Sequence, residues 1–522
     1  MRPSVVAELQ ERTACVDHQH SFWDRLPTEL VMQIFIYGMI APMPPGIQPA
    51  ELKFNLTISH ISRRFREIAI ATQPLWSQIC FQEADVKHRW PRLCLERAGT
   101  GPVDIHLEVT SERGWRGAPS RSEFEGVLVV IMEHAFHWRT ITLIAERFCP
   151  IHMFLRYFIV AGTAPLLESL SLVYTHPLGR PLRPTVFTHS IMDSGSISLS
   201  QNMAPRLREL ALVGVHFHWE SFSFSNLTRL HLSHHQPAVQ PTVAEFRSIL
   251  NTSPDLQVIK LNGGSGPFRD SPEASLDDSE AVQLNSLRYL ELTFFRSSKH
   301  ISLLMQLIRA PNLETLQLED WFEDTFDSVV RKLGDVSYGY TSVKHLDMRS
   351  IEGTSSRAFY SLLKGMKQLE TLTITCSDKP RNHPVSCLIP PPDELGRPRL
   401  PVVIPNLVEF TSTGVPPEDI ITMLEARVNA RKPLQRLRVN QYDKVCCYFY
   451  HNYPFFLLLI FLRIRSRQVA PKYVERFRQM VNELEFFYLR PGEEDPLAED
   501  PEDRVYSSEA STGNDSSSSE IE

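Results

Sequence analysis

The absence of features typical of enzymes, secreted proteins and membrane proteins narrows what this sequence of 522 residues can be. Its eight cysteines include no Cys-x-x-Cys pair, which favours reduced thiols inside a cell over a disulfide framework. Residues 1–22 contain no apolar stretch of the kind that a secretory signal needs. The apolar run Phe455–Leu462 is far shorter than the roughly 20 residues that cross a bilayer. We therefore expect a protein of the cytoplasm or nucleus with no membrane partner.

A strong charge of one sign is also absent from most of the chain. The net charge is −7, but residues 491–522 hold eleven acids against Arg504, so this tail contributes −10 and the remainder +3. A body so close to neutral gives no electrostatic reason to expect nucleic acid as a partner. The tail is acidic, rich in serine and without apolar periodicity, so we expect it to be disordered.

No pattern of catalytic or metal-binding residues is present. The segment Asn262–Gly266 has neither the spacing nor the lysine of a phosphate-binding loop. A group of histidines lies on neighbouring stretches but has no cysteine nearby and no pair with zinc-finger spacing. These are His216, His218, His231, His234 and His235. The sequence predicts no metal, no cofactor and no catalytic activity of its own.

Residues 22–80 instead predict a small helical module. The segment Leu26–Leu30 reads Leu-Pro-Thr-Glu-Leu, and Pro27 suits the first turn of a helix, where its missing N–H is no loss. Leu30, Ile34 and Phe35 share one face of that helix, which we expect to end near Gly38.

A second helix is predicted over Ile58–Ala69, because apolar residues recur there at helical spacing while the arginines face the other way. Pro74 can open a third, short helix in the segment Pro74–Ile79. Three helices of this length bury too little apolar surface to be stable alone, so their apolar faces need a further partner.

Together these elements resemble an F-box, whose pattern is Leu-Pro-x-Glu-Leu, Ile-Phe, Ser-Arg-x-aromatic-Arg-x-Ile-Ala and a closing Leu-Trp. Phe65 stands where this family usually has tryptophan. The resemblance implies docking on the Skp adaptor of a cullin–RING ubiquitin ligase; the alternative is an ordinary three-helix cap on the remainder of the chain. The residues that would contact the adaptor are Leu26, Pro27, Leu30, Ile34, Phe35, Ile58, Ile61, Phe65, Leu75 and Trp76.

Residues 81–136 are interpreted as a connection between this module and the rest of the chain. A helix is expected within Phe81–Gly101, with Gly99 as its stop signal. The alternation of apolar and polar residues over Val103–Val109 predicts a half-buried entry strand.

A repeat of the form apolar-x-x-apolar-x-apolar then recurs eleven times within residues 137–490. Its units begin at Trp138, Leu167, Leu207, Leu227, Leu256, Leu287, Leu313, Val343, Leu369, Leu407 and Leu434.

This pattern resembles a leucine-rich repeat, in which each strand contributes alternate leucines to a continuous core and a helix closes each turn. The fold expected for the whole chain is therefore α+β, with an N-terminal three-helix F-box followed by an α/β solenoid. The solenoid would be an irregular horseshoe with parallel strands. The sequence predicts such helices over Val243–Leu250, Ile301–Ile308 and Phe359–Met366. We expect the residues between the core leucines to face solvent and bind a protein substrate, with Arg208, Arg229, Glu291 and Gln317 as candidates.

Three insertions interrupt the array at residues 173–205, 262–285 and 376–405. Each is rich in proline, glycine and serine and is predicted to be a loop. Loops on a rigid scaffold often carry binding residues, but they equally reflect variation in length.

The segment Val445–Gln468 is rich in aromatic residues and lacks the repeat pattern. Val-Cys can be encoded GTA-TGT and Gln can be encoded CAG, which match the two splice signals of a short fungal intron. We interpret these residues as translated intron; a buried strand and an interfacial membrane anchor are the alternatives. Removal would join Lys444 to Val469, which leads into a helix over Tyr473–Met480 and a last repeat beginning at Val481.

The sequence thus predicts a substrate receptor of a ubiquitin ligase, with an N-terminal adaptor-binding module and a repeat domain that holds a target protein. The rival hypothesis is a non-catalytic repeat scaffold whose degenerate F-box does not enter a ligase.

Overall fold

The structure is a computed structural model, and it divides the chain into two compact units. Of the residues that the structure describes, the first unit contains those up to His106 and the second those from Leu107 onward. Residues described are 22–40, 54–81, 88–110, 121–175, 202–215, 219, 224–233, 235, 240–262, 268, 281–295, 298–320, 327–335, 340–349, 355–375, 385, 388, 404–440, 469 and 471–487.

The first unit is mainly helical. Its helices are α1 (Phe22–Arg25), α2 (Thr28–Ile40), α3 (Phe54–Ile61), α4 (Arg63–Ala71) and α5 (Arg89–Ala98), with a 3₁₀ turn at Gln73–Trp76. Its strands are β1 (Gln78–Phe81) and the first half of β2 (Val103–Val109).

The helix predicted over Ile58–Ala69 is wrong in one respect, because it is two helices separated at Ser62. Ser62 has an extended backbone (φ −153°, ψ 165°), and its Oγ accepts a hydrogen bond from the Phe65 N–H at 3.1 Å. This is the geometry of an N-cap, which satisfies one of the free N–H groups in the first turn of α4. Ile61 therefore lies at the end of α3 and is exposed, not on a continuous buried face.

The third predicted helix is present as a short 3₁₀ turn. Only Gln73–Trp76 is helical, and the chain then turns into β1. Ser77 marks this change, because its carbonyl accepts a hydrogen bond from the Asp104 N–H at 2.8 Å. The stop predicted at Gly99 is confirmed: this residue has φ +59°, which suits glycine, directly after α5.

The second unit alternates strands and helices. Its strands after β2 are β3 (Trp138–Ala145), β4 (Ser169–Tyr174), β5 (Glu209–Val213), β6 (Arg229–Ser233), β7 (Val258–Asn262), β8 (Val282–Gln283), β9 (Tyr289–Phe295), β10 (Ile308–Arg309), β11 (Thr315–Asp320), β12 (His345–Arg349), β13 (Thr371–Thr375), β14 (Glu409–Thr413), β15 (Arg436–Asn440) and β16 (Glu483–Phe487). Its helices are α6 (Arg121–Met132), α7 (Phe148–Ala161), α8 (Val243–Thr252), α9 (Ser298–Leu307), α10 (Asp327–Gly334), α11 (Ser356–Gly365), α12 (Pro417–Asn429) and α13 (Pro471–Met480).

The predicted parallel arrangement and register of the strands are confirmed. Among the described residues of the second unit, twelve of the strands from β3 to β16 form one parallel sheet in which neighbours follow chain order. The other two, β8 and β10, pair in parallel with each other. The central apolar position of each repeat lies beside that of the next. These positions are Ile141, Leu170, Leu210, Leu230, Ile259, Leu290, Leu316, Leu346, Leu372, Phe410, Leu437 and Leu484.

Helices on one side cover this apolar row. The three predicted repeat helices are confirmed as α8, α9 and α11, and the last as α13. Four more, α6, α7, α10 and α12, were not predicted. Part of the insertion predicted at 262–285 is not loop, since Val282–Gln283 pairs in parallel with Ile308–Arg309.

One buried cation in α12 has no counterpart in the sequence analysis. Arg427 is buried, and its guanidinium donates to the carbonyls of Ile404 (3.0 Å) and Leu407 (2.9 Å) in the turn before β14. Burial lowers the pKa of Arg427 to about 10. The side chain thus satisfies two carbonyls of a turn that enters the sheet.

The last repeat continues the array in register. On its strand, Leu484 lies beside Leu437 and Phe486 beside Val439. On its helix, Tyr473 hydrogen-bonds to Glu418 of α12. Residues 445–468, the tail 491–522 and most of the three predicted insertions lie outside the described residues.

Candidate functional site

Helix α2 in the first unit carries apolar side chains on two faces. Val31 and Phe35 point into the unit and are buried. Leu30 and Ile34, which share a face one helical turn apart, are 51% and 42% exposed. A helix that is apolar all round is normally buried on all sides, so the exposed apolar face of α2 is the candidate binding surface of the first unit.

Tyr37 extends this exposed face by another turn and is 70% exposed. With Pro27, which is also exposed, it completes a row at steps of three, four and three residues. We call Pro27, Leu30, Ile34 and Tyr37 the α2 apolar row. The sequence analysis missed Tyr37 because its motif ended at Phe35, although the spacing from Leu30 would have placed it on the same face.

The ten residues predicted to contact an adaptor divide into two groups. Pro27, Leu30, Ile34 and Ile61 are exposed and Leu26 is half-buried, so all five are reachable at the surface. The other five are buried inside the unit and support the surface from below. They are Phe35, Ile58, Phe65, Leu75 and Trp76.

Aromatic contacts fix the buried group. The ring of Phe65 in α4 meets the ring of Phe35 edge to face, with centroids 5.1 Å apart, and meets Trp23 of α1 in the same way at 5.6 Å. Such pairs add about 0.5–1.5 kcal/mol beyond the burial of their area. Phe65 therefore packs α4 against both α1 and α2.

Trp76 is held by polar contacts as well as by burial. Its indole N–H donates to the Ala69 carbonyl at 2.8 Å, and the guanidinium of Arg97 lies 4.2 Å from its ring centroid. The Asn55 amide donates to the Leu75 carbonyl at 3.1 Å. These contacts tie the 3₁₀ turn to α3, α4 and α5.

In the second unit, the strand residues of β3–β16 that alternate with the buried positions lie on the other face of the sheet. We call this surface the polar sheet face. Arg229 and Glu209 pair across β5 and β6, with 3.5 Å between Nε and Oε1, and both are partly exposed. Arg208 donates to the Asn226 carbonyl at 2.8 Å, so this predicted binding residue already holds a neighbouring turn.

The centre of the polar sheet face is a hydrogen-bonded group on β9 and β11. The Tyr289 hydroxyl lies 3.1 Å from Oε2 of Glu291 and 3.1 Å from Oε1 of Gln317. Gln317 is only 7% exposed, so the prediction that it faces solvent is wrong. Its amide is enclosed because the bulky Tyr289 ring lies on the neighbouring strand.

The environment of this group shifts its ionisation. Burial raises the pKa of Glu291, although the charges of Lys260 and Arg349 and hydrogen bonds from Tyr289 and Asn262 oppose the rise. Burial and the Glu291 charge likewise raise the pKa of Tyr289.

Charged side chains flank the centre on both sides. The ammonium of Lys260 lies 5.6 Å from the Tyr289 ring centroid, and Arg349 binds the carboxylate of Asp347 at 3.0 Å. Towards the C-terminus, Arg436 lies between two carboxylates, at 3.3 Å from Glu409 and 2.8 Å from Glu483. Charges of both signs therefore lie along this face.

Of the histidines considered for zinc, His231 and His235 fall within the described residues. No group of three or more His, Cys, Asp or Glu side chains in that part of the chain is arranged to hold a metal ion. The described cysteines, Cys80, Cys94 and Cys149, are free thiols.

Comparison with models of known protein families gives no match, and comparison with curated protein sequences gives none either. Within the described part of the chain, no helix has the length and apolar character needed to cross a membrane.

Proposed function

We propose that this chain is the substrate-recognition subunit of a cullin–RING ubiquitin ligase and docks on the Skp adaptor through its first unit. The observation that carries the proposal is the α2 apolar row, which presents Leu30 and Ile34 to solvent above a well-packed aromatic core. The F-box resemblance assigns this role to the same helix.

Association through this surface needs several side chains at once. Burying a large apolar side chain contributes about 1.5–3 kcal/mol when it begins fully exposed. The loss of translational and rotational freedom opposes binding by about 4–15 kcal/mol. Leu30, Ile34 and Ile61 begin about half exposed, so Leu26, Pro27 and Tyr37 are needed beside them.

The polar sheet face is the surface that we propose for the target protein. Parallel strands in one register give a continuous row of side chains on a rigid support. Arg229 and Glu291 are accessible in part, whereas Gln317 supports the surface from within it. Arg208 contributes at the edge through the portion of its side chain that is exposed.

The mechanism proposed is proximity. The receptor raises the effective concentration of a target lysine near the conjugating enzyme, and the other ligase subunits perform the chemistry. This activity belongs to the cytoplasm or nucleus and requires neither a cofactor nor nucleic acid.

Co-purification of the full chain with the Skp adaptor tests the docking. A variant with Leu30→Asp and Ile34→Asp should lose the adaptor, because two carboxylates would be buried without partners. Both residues are exposed, so the fold should persist. The matched control is Val428→Asp on α12, where the wild-type side chain is 43% exposed, close to the 42% of Ile34.

The proposal is supported if the double variant loses the adaptor while the Val428→Asp control keeps it. Equal binding by the double variant would contradict it, and no binding by the wild-type chain would favour the scaffold hypothesis. Mass spectrometry of proteins retained by the wild type but lost when Arg229 and Glu291 are changed would identify targets of the polar sheet face.

A further inference from the structure

Arg64 of α4 links two helices of the first unit. Its guanidinium donates through Nη1 to the Trp23 carbonyl in α1 and through Nη2 to the Leu26 carbonyl just before α2. One side chain therefore binds both ends of the short segment that leads into the α2 apolar row.

This segment is held through its carbonyl groups. Pro27 has no N–H, so the peptide that joins it to Leu26 has only a carbonyl to offer. The Pro27 carbonyl is already used by α2, since it accepts from the N–H groups of Leu30 (3.1 Å) and Val31 (3.2 Å). The Leu26 carbonyl is the one that Arg64 binds.

Helix α4 fixes α2 at a second point. Phe65, the residue after Arg64, packs edge to face on Phe35 in the middle of α2 and on Trp23 of α1. The start and the middle of α2 are thus set by adjacent residues of one helix, the first by hydrogen bonds and the second by packing.

We infer that Arg64 is a positioning residue for the docking surface, holding Leu26 and Pro27 in line with Leu30 and Ile34. The inference rests on the proposed function. Arg64 occupies the position that the Ser-Arg-x-aromatic-Arg pattern leaves open, so the resemblance assigns it no role.

The chemistry requires arginine at this site. A guanidinium has a planar fork of N–H donors that can reach two carbonyls at once, whereas an ammonium on a flexible stem is a single point of donation. Arg64→Lys should therefore retain part of the effect and Arg64→Ala none of it.

Adaptor affinity of the purified full chain tests the role in docking. Arg64→Ala should weaken binding by about 10- to 100-fold, because two charge-assisted hydrogen bonds are lost. In a background that already carries Leu26→Ala, the same change should have a clearly smaller effect, because only Pro27 is left for Arg64 to position. The matched control is Arg63→Ala, an exposed neighbour on α4, whose effect should be the same in both backgrounds.

This coupling separates positioning from a general loss of stability, which would weaken binding equally in both backgrounds. Wild-type affinity in Arg64→Ala, or an equal loss with and without Leu26→Ala, would overturn the inference.

Amide hydrogen exchange in the free chain tests the anchoring without the adaptor. Arg64→Ala should speed exchange at the N–H groups of Leu30 and Val31 by about tenfold or more, because the first turn of α2 would open more often. Unchanged exchange would refute the anchoring. The two hypotheses can fail separately. If Arg64→Ala exchanges faster but the wild-type chain does not bind the adaptor, the anchor exists and the proposed function is wrong.

Discussion

The hydroxyl of Tyr289 lies 3.1 Å from Oε2 of Glu291, two residues further along the same strand. Both groups lie on the face of the sheet opposite the buried leucines, yet burial raises the pKa of each. Polar side chains at the centre of this face therefore shield one another partly from water, so this part of the face is a half-buried polar layer.

Glu291→Gln should change how stability depends on pH. A carboxyl whose pKa is raised on folding contributes stability that is complete below its unfolded pKa, near 4.5, and that is lost as the pH rises through the folded value. The free energy of unfolding of the wild type should thus fall relative to the glutamine variant between pH 4 and pH 7. Denaturant unfolding of both proteins across this range measures the difference, and a rise would contradict the burial of Glu291.

Leu290→Ala and Leu316→Ala should each reduce the free energy of unfolding by about 2–5 kcal/mol, because each leaves a cavity in a fully buried row. Gln317→Ala should also destabilise, by about 1–3 kcal/mol, since it removes a partner of the buried Tyr289 hydroxyl. Arg357→Ala on the exposed side of α11 is the control and should stay within about 0.5 kcal/mol of the wild type. Chemical denaturation measures the free energy of unfolding of all four variants. If the two leucine variants are as stable as the wild type, the register of the repeats is wrong.

Ser62→Ala should destabilise the first unit by about 0.5–2 kcal/mol through loss of the cap on α4. Ser62→Asp keeps an oxygen acceptor for the Phe65 N–H and should restore most of the stability. Thermal unfolding with a probe in the first unit, such as fluorescence of Trp76, would follow both variants. Equal stability of the alanine variant and the wild type would show that the two helices do not depend on this cap.

Two glycines offer a matched pair for the same substitution. Gly126 in α6 has open space where a Cβ would lie, so Gly126→Ala should stabilise the fold by about 0.4–1 kcal/mol. At Gly365, the last residue of α11, a Cβ would lie 3.0 Å from the Gly334 carbonyl oxygen, so Gly365→Ala should destabilise. A melting temperature that rises in Gly126→Ala and falls in Gly365→Ala would confirm the close approach of α10 and α11. Shifts in the same direction would contradict it.

Deletion of residues 445–468 should leave the repeat array folded. Thirty residues separate the end of β15 from the start of α13, and deletion would leave six, the same number as between β12 and α11. The deleted chain should keep its melting temperature and its helix content by circular dichroism. Sequencing of the transcript is the independent check, and a mature message that retains the segment would contradict the intron hypothesis.

The sequence specified the repeat array well because its signal is local and repeated. Leu290, Leu316 and their equivalents occupy the register that the spacing predicts, since period-two alternation leaves one way to bury them. Gln317 was misplaced because its burial depends on the ring of Tyr289, which comes from another repeat. Spacing along one strand carries no information about side chains that arrive from the next.

The first unit was less completely predictable for a similar reason. The helical spacing of apolar residues continues across Ser62 without interruption. The break between α3 and α4 is made by the extended backbone of Ser62, whose Oγ accepts a hydrogen bond from the Phe65 N–H. Arg64 resembled any surface arginine in the sequence, because its carbonyl partners on Trp23 and Leu26 lie about forty residues away.

The uniform step from one strand to the next bears on how this protein could change in evolution. Each repeat offers its neighbours the same pairing edges, from Ile141 beside Leu170 to Leu437 beside Leu484. Duplication or loss of one complete strand–helix unit would leave the remaining pairings intact. The chain could therefore acquire a longer or shorter sheet in single genetic events, without rebuilding its core.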